Sequence, residues 1–296
     1  MKVAVTAASG RLGHALLRLL PEHLPARDVV AIARNPDRVQ VPGIEKRAGD
    51  YQSVAAMTEA LRGIDSVVLI SAPVAGGGER IHLHRNVIEA ARLAGVRRVL
   101  FTSVIGNGVE MTTAFGPTQQ VNRQAEQDLQ ASGLEWVIGR NALYLELDLM
   151  QIRRAQATGV YTNPAGDGRC PYLSIDEIAY AYARLAADAA RTGQTCNITG
   201  EALTQAEMVR HACEVFDLQV RYETISDEAC IGKFLTLMPE RGEAVARMLT
   251  GCFQAIRAGA FDVPSGYLAA AGRPAKTVRQ MLEGLAAREN VTPTLF

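Results

Sequence analysis

The stretch Lys2-Val-Ala-Val-Thr-Ala-Ala-Ser-Gly-Arg-Leu-Gly13 constrains the fold more than any other part of the chain. Val3, Ala4 and Val5 are apolar and read as a short buried strand. Ala7, Ala8, Ser9 and Gly10 are small and read as a tight turn. Leu12, Leu16, Leu17, Leu19 and Leu20 then recur at helical spacing. A helix that starts on such a turn aims unpaired backbone N–H groups back at it, which makes a seat for a pyrophosphate. The usual dinucleotide fingerprint carries three glycines, for the turn, for backbone approach to phosphate and for helix–strand packing. Here the spacing is Ala7-x-x-Gly10-x-x-Gly13, with alanine at the first position. Taken alone, a small-residue turn is also an ordinary connection between a strand and a helix.

The strand–helix rhythm then repeats along the first half of the chain. Strands are expected at Val29–Ala33, Ile44–Ala48, Ser66–Ile70, Val99–Thr102 and Glu135–Ile138. Helices are expected at Val54–Leu61, Arg80–Ala94 (closed by Gly95) and Pro117–Ala131. Continuously apolar strands separated by helices imply a parallel sheet covered on both faces. The expected fold is α/β, a doubly wound parallel sheet of the NAD(P)-binding Rossmann kind. After residue 144 the rhythm is lost. Helical stretches at Leu145–Ala157, Ile175–Asp188, Gln205–Phe216 and Glu240–Ala258 enclose short strand-like pieces at Thr195–Ile198 and Val220–Thr224. The division expected is a dinucleotide-binding core over 1–144 and a smaller, mostly helical lobe over 145–296 that walls one side of a cleft, with some segments free to return to the sheet.

Composition narrows the function by exclusion. The 31 basic and 31 acidic residues cancel, so nothing favours nucleic acid or an anionic membrane. No apolar run reaches the roughly 20 residues that span a bilayer, and no secretory leader is expected. Cys170, Cys196, Cys213, Cys230 and Cys252 are scattered and form no Cys-x-x-Cys, which reads as reduced thiols in a cytoplasmic protein. His82 and His84 stand two apart in a helix and so face apart, one to solvent and one inward. No metal site is expected.

Arg34 follows the second strand. A carboxylate at that point bonds the ribose 2′-hydroxyl of NAD, whereas an arginine can pair with the 2′-phosphate of NADP. The cofactor expected is NADP(H); the alternative is a solvated surface arginine. Asp50, after the third strand, is a candidate for the adenine amino group or a helix N-cap. Ser71 and Ala72 end the fourth strand and Thr102 and Ser103 the fifth, where an open α/β sheet lines its ligand crevice. Gly76, Gly77 and Gly78 read as a loop beside that crevice, and as a lid in the sharper reading.

An absence matters as much. Ketone reduction in short-chain reductases uses Tyr-x-x-x-Lys, whose lysine lowers the tyrosine pKa for proton donation. The chain has four lysines, Lys2, Lys46, Lys233 and Lys276, and none follows a tyrosine at that spacing. A quinone escapes the requirement. Hydride addition yields an aromatic hydroquinone anion, a weak base that waits for solvent, so a pocket can work by proximity and orientation.

Several motifs in order carry a family resemblance across nearly the whole chain: Thr6-Ala-Ala-Ser-Gly-Arg-Leu-Gly13, Val30-Ala-Ile-Ala-Arg-Asn-Pro36, His84-Arg-Asn-Val-Ile-Glu-Ala-Ala91, Arg140-Asn-Ala-Leu-Tyr144, Ala165-Gly-Asp-Gly168 and Ile175-Asp-Glu-Ile-Ala179. The chain resembles the NmrA-like branch of the atypical short-chain dehydrogenases, most of all the bacterial NAD(P)H:quinone oxidoreductases and triphenylmethane reductases. The resemblance implies that Ala8, Ser9, Gly10, Arg11, Leu12 and Gly13 hold the pyrophosphate and Arg34 the 2′-phosphate. It implies that Ser71 and Ala72 border the adenosine and ribose. Arg140, Asn141 and Tyr144 would line the nicotinamide and the substrate. Asn122 and Tyr144 are the expected catalytic positions; related reductases often carry Lys or His where Asn122 stands. Tyr144 also reads as an aromatic packed under the second lobe. The implied activity is NADPH-dependent reduction of a quinone or similar aromatic acceptor, in a protein that can form a homodimer. The alternative is a non-catalytic NADP(H) sensor acting through a protein partner; an epimerase-like activity is disfavoured by the missing Tyr/Lys pair.

Overall fold

The computed structural model describes residues 1–72 and 77–289. The first half alternates as its apolar pattern requires: β1 (Val3–Val5), α1 (Arg11–Leu19), β2 (Val29–Ala33), β3 (Glu45–Ala48), α2 (Val54–Ala60), β4 (Ser66–Leu69), α3 (Gly77–Leu93), β5 (Arg98–Val104), α4 (Gly116–Gln130) and β6 (Glu135–Asn141). Every residue of β1, β2 and β4 is buried. That burial is what a parallel sheet covered on both faces demands of its strands. β3 is the exception: Glu45, Lys46 and Arg47 keep its edge wet, and Lys2 Nζ pairs with Glu45 at 2.7 Å.

The second half continues with β7 (Leu143–Tyr144), α5 (Leu145–Ala155), β8 (Val160–Asn163), β9 (Arg169–Leu173), α6 (Ile175–Ala187), β10 (Gln194–Ile198), β11 (Ala202–Thr204), α7 (Gln205–Phe216), β12 (Arg221–Thr224), α8 (Asp227–Leu237), α9 (Gly242–Arg257), α10 (Tyr267–Ala271) and α11 (Val278–Glu289). One piece of it completes the main sheet. β10 pairs in parallel with β6, giving a seven-stranded sheet in the order β10-β6-β5-β4-β1-β2-β3. α6 packs along α1 and covers the same sheet. Its inner face is made of Ile178, Ala179, Tyr182, Ala183 and Leu185, all fully buried. Tyr182 Oη donates to Gly139 O at 2.9 Å, and a side chain at 139 would collide with that phenol.

The remaining elements build two small sheets, β11-β9-β7 and β12-β8, with helices around them. α9 closes onto the core through two glycine contacts: a Cβ at Gly251 would strike the backbone of Ala114 and Phe115, and one at Gly168 the backbone of Ile256. Among the described residues no helix is long and apolar enough to cross a membrane, and no cluster of His, Cys, Asp or Glu is arranged to hold a metal. His82 is exposed and His84 buried, as their spacing requires. Gly76 of the expected loop lies outside the described residues, whereas Gly77 and Gly78 open α3.

A candidate dinucleotide site and the polar network behind it

The turn between β1 and α1 is built almost entirely from backbone. Ala7 takes φ +48°, a left-handed conformation that costs an alanine roughly 1 kcal/mol. Its carbonyl accepts from Gly10 N–H at 2.9 Å and closes the turn. A Cβ at Gly13 would lie 2.6 Å from Ala7 O and 2.9 Å from Ala8 Cα, so only glycine lets α1 sit this close to the strand. At Gly10 the same test meets Ala7 O at 3.2 Å, a milder constraint. Gly10 caps α1 with no side-chain hydrogen bond, which leaves the first-turn N–H groups of Arg11, Leu12 and Gly13 pointing at the turn. Ser9, Gly10 and Arg11 are exposed there. Ala8 is different: it is buried and its N–H is taken by Ile32 O at 3.0 Å. An uncapped helix start, a glycine no side chain can replace and exposed small residues fit a dinucleotide phosphate.

Arg34 stands at the exposed end of β2 and has no ion pair among the described residues. Its neighbour Asn35 is occupied, accepting from Asp37 N–H at 3.0 Å. The guanidinium of Arg34 is thus free to meet an anion. Asp50 does not cap α2. Ser53 does, accepting from Ala56 N–H at 3.1 Å, while Asp50 Oδ1 folds back on Gln52 N–H at 3.0 Å.

Behind the strand ends lies a network of buried polar side chains. Ser71 N–H donates to Thr102 Oγ1 at 2.8 Å, tying the end of β4 to β5. His84 Nε2 accepts from Ala72 N–H at 3.0 Å and lies 3.2 Å from Ser71 Oγ. The ring proton of neutral His84 is therefore on Nδ1. Burial first, then the charge of Arg80, pushes this histidine down to about 3. Arg80 donates from Nε to Ala72 O at 2.9 Å, and from Nη2 to Ser71 Oγ at 2.7 Å and Asn122 Oδ1 at 3.1 Å. Asn122 Nδ2 passes the chain to Gln119 Oε1 at 3.1 Å, and Gln119 Nε2 to Glu110 at 3.1 Å.

A second knot adjoins it on α4. Glu126 is almost fully buried. It accepts from Ser103 Oγ at 2.5 Å, from Arg123 Nη1 at 2.6 Å and from both Nε and Nη2 of Arg140, the latter at 2.5 Å. Asn141 Oδ1 lies 3.0 Å from Tyr182 Oη and shares its proton with Gly139 O. Tyr144 is half-buried, and desolvation pushes its phenol up to about 12, so it keeps its proton at neutral pH.

A family model described as NAD(P)H-binding matches residues 7–156. The chain belongs to this NAD(P)H-binding family. It falls on the NmrA-like oxidoreductase branch that its motifs resemble. Quinone oxidoreductase 2 of Escherichia coli (strain K12) is 33% identical over 229 residues, covering 76% of this chain and 78% of that protein. NAD(P)H azoreductase of Xenophilus azovorans is 25% identical over 290 residues, covering 96% and 98%. Among solved structures, the NADPH-dependent quinone oxidoreductase of Escherichia coli complexed with NADPH aligns with a TM-score of 0.86 at 30% identity, over 96% of this chain and 99% of that one.

The expected site positions separate into two sets. Ser9 to Gly13 and Arg34 are exposed, or present free backbone donors, just beyond the carboxyl ends of β1 and β2. Thr102, Ser103, Asn122 and Asn141 are buried, with their side chains already bonded to protein. Asn122 has no exposed surface; in this arrangement it serves Arg80 and Gln119. Arg80, Gln119, Arg123 and Glu110 were not singled out from sequence. The one available signal for Arg80 was its spacing: it stands one helical turn before His84 on the same face, just after a strand that ends at the crevice.

Proposed function

We propose that the chain is an NADPH-dependent reductase that delivers hydride to a quinone or a similarly flat, conjugated acceptor. The observation that carries the cofactor choice is Arg34, exposed and unpaired at the end of β2 beside an uncapped helix start. Quinone and azo acceptors are supported by the names of the relatives with which the chain shares a quarter to a third of the aligned residues. Bound dinucleotide supplies the hydride.

The chain's own residues bind and orient. The N–H groups of Ser9, Arg11, Leu12 and Gly13 hold the pyrophosphate, and the Arg34 guanidinium holds the 2′-phosphate. Asp50 forms the wall expected beside the adenine, and Ser71 and Ala72 the wall beside the ribose. Asn141, Arg140 and Tyr144 border the nicotinamide end. Tyr144, protonated at neutral pH, presents a phenol O–H that can donate to an acceptor oxygen. Asn122 contributes from behind the wall, by holding Arg80.

The test is NADPH oxidation against a panel of quinones and azo dyes, with NADH in parallel. Turnover that prefers NADPH is expected. Arg34→Ala should weaken NADPH binding by about 10–100-fold, the worth of a charge-assisted pair, and leave NADH binding as it was. Tight NADPH binding without turnover on any acceptor overturns the reductase reading in favour of a sensor.

A further inference from the structure

Arg80 is a buried cation with no counter-ion among the described residues. Only 4% of its surface is exposed, and the acceptors of its Nε and Nη2 (Ala72 O, Ser71 Oγ and Asn122 Oδ1) are all neutral. The nearby acids are committed elsewhere: Glu126 to Arg123 and Arg140, Glu110 to Gln119 and Arg123. No ion pair involves Arg80 among the described residues, and its Nη1 is buried with no hydrogen-bond partner. Its neighbour His84 is neutral and adds no compensation. Desolvation lowers the guanidinium to about 10, so it stays charged at neutral pH. Burying an unpaired charge costs more than neutral hydrogen bonds return, and such groups concentrate where charge develops during function.

Its position is the second observation. Ser71 and Ala72 continue the carboxyl end of β4, and Ser71 is tied to Thr102 near the carboxyl end of β5. In an open α/β sheet those ends line the ligand crevice. Ser71 is partly exposed, so the guanidinium stands one side chain behind the crevice wall. Water there is replaced by protein, and a fixed charge acts across it with little screening.

We infer that Arg80 is a positioning residue for the reduction: held from behind by Asn122 and acting across Ser71, its charge stabilises the negative charge that the acceptor gains. This rests on the reductase reading above. The acceptor takes one hydride, a proton with two electrons, from the reduced nicotinamide, which is left oxidised. A quinone thereby becomes a hydroquinone monoanion, and water supplies the second proton. Arg80 transfers nothing; it lowers the energy of that anion and stands in for the absent Tyr-x-x-x-Lys acid.

The experiment uses the full chain saturated with NADP⁺ and 4-nitrophenol as a flat mimic of the monoanion, its ionisation read by absorbance. Bound to the wild-type protein, the phenol should ionise about tenfold more readily than in Arg80→Met, and Arg80→Lys should restore most of the difference. Arg80→Gln is the second neutral variant, should Arg80→Met not fold. In steady state, the rate lost by the neutral variant should grow as the reduced acceptor becomes more basic. A bound-phenol pKa equal in wild type and in a folded neutral variant overturns the inference, as does an equal rate loss for every acceptor. If the wild type reduces no acceptor and binds no phenol, the reductase reading itself falls and takes this inference with it. Turnover without an Arg80 effect removes the inference alone.

Discussion

The β1–α1 turn and the network behind β4 and β5 both lie at the carboxyl ends of central parallel strands, and they are built in opposite ways. The turn is local. Nine consecutive residues, from Val5 to Gly13, supply strand end, left-handed bend and helix start, and the groups left free at the helix start are backbone N–H. The network is assembled from a distance. Ser71, Arg80, Asn122, Glu126 and Arg140 come from the end of β4 and from α3, α4 and β6, and they meet through side chains. Function placed on backbone tolerates many side chains but few backbone shapes. Function placed on buried side chains tolerates little change in charge.

The largest effect should come from breaking the turn's shape. Gly13→Val would push a branched side chain into Ala7 O and Ala8 Cα, which lie 2.6 and 2.9 Å from a Cβ alone. A loss of about 3–5 kcal/mol in urea unfolding is expected, with NADPH binding lost even where the variant folds. Near-normal stability would show that α1 can back away from the strand at little cost.

Next in size is removing a charge from the network. Glu126→Gln leaves Arg123 and Arg140 without their buried carboxylate. Because both arginines keep part of their surface in water, the expected loss is about 2–3 kcal/mol, below the full cost of a broken buried pair. The same change at an exposed pair such as Glu89–Arg92 should be barely measurable, which makes it the control.

The network also predicts a pH dependence that the turn lacks. His84 titrates near 6.5 when unfolded and near 3 when folded, so the unfolded chain binds the proton first. Its contribution is complete above about pH 6.5 and declines as pH falls toward 3. Buried Glu146, pushed up to about 7 by desolvation, works the other way: it is most favourable below about pH 4.5, and that contribution is lost as pH rises through 7. The wild-type slope therefore mixes the two. Comparing wild type with His84→Gln isolates the histidine: from pH 7 to pH 5 the wild type should lose about 2 kcal/mol more than the variant. Parallel curves would mean that His84 is protonated inside the fold.

The smallest expected effect returns to the turn. Ala7→Gly exchanges left-handed strain for chain entropy, with a net gain of about 0.5–1 kcal/mol and NADPH affinity unchanged within about twofold. A clear destabilisation would show that the Ala7 methyl packs usefully beside the phosphate seat.

The parallel sheet was legible because fully buried strands carry unbroken apolar runs, as in Val29–Ala33 and Ser66–Leu69. The exposed position of Arg34 was legible because it depends only on following β2. The membership of Gln194–Ile198 in the main sheet was not, since a five-residue run with Gln, Thr and Asn says nothing about which strand it will pair with. Arg80 looked like one more helical arginine. Its burial depends on Ser71 and Asn122 arriving from other elements, and no spacing along one helix encodes that.

By itself the sequence determined the things that depend on neighbours along the chain: the strand–turn–helix of residues 3–19, the need for glycine at 13, the exposed cation at 34 and the absence of a Tyr-x-x-x-Lys pair. Tertiary structure alone decided which polar side chains would be buried and which would face each other. Short-range geometry is set by dihedral preference and hydrogen bonding between near neighbours, and those act without the rest of the fold. Charge energetics depend on dielectric and distance, and neither exists until α3, α4 and the sheet have closed around Arg80.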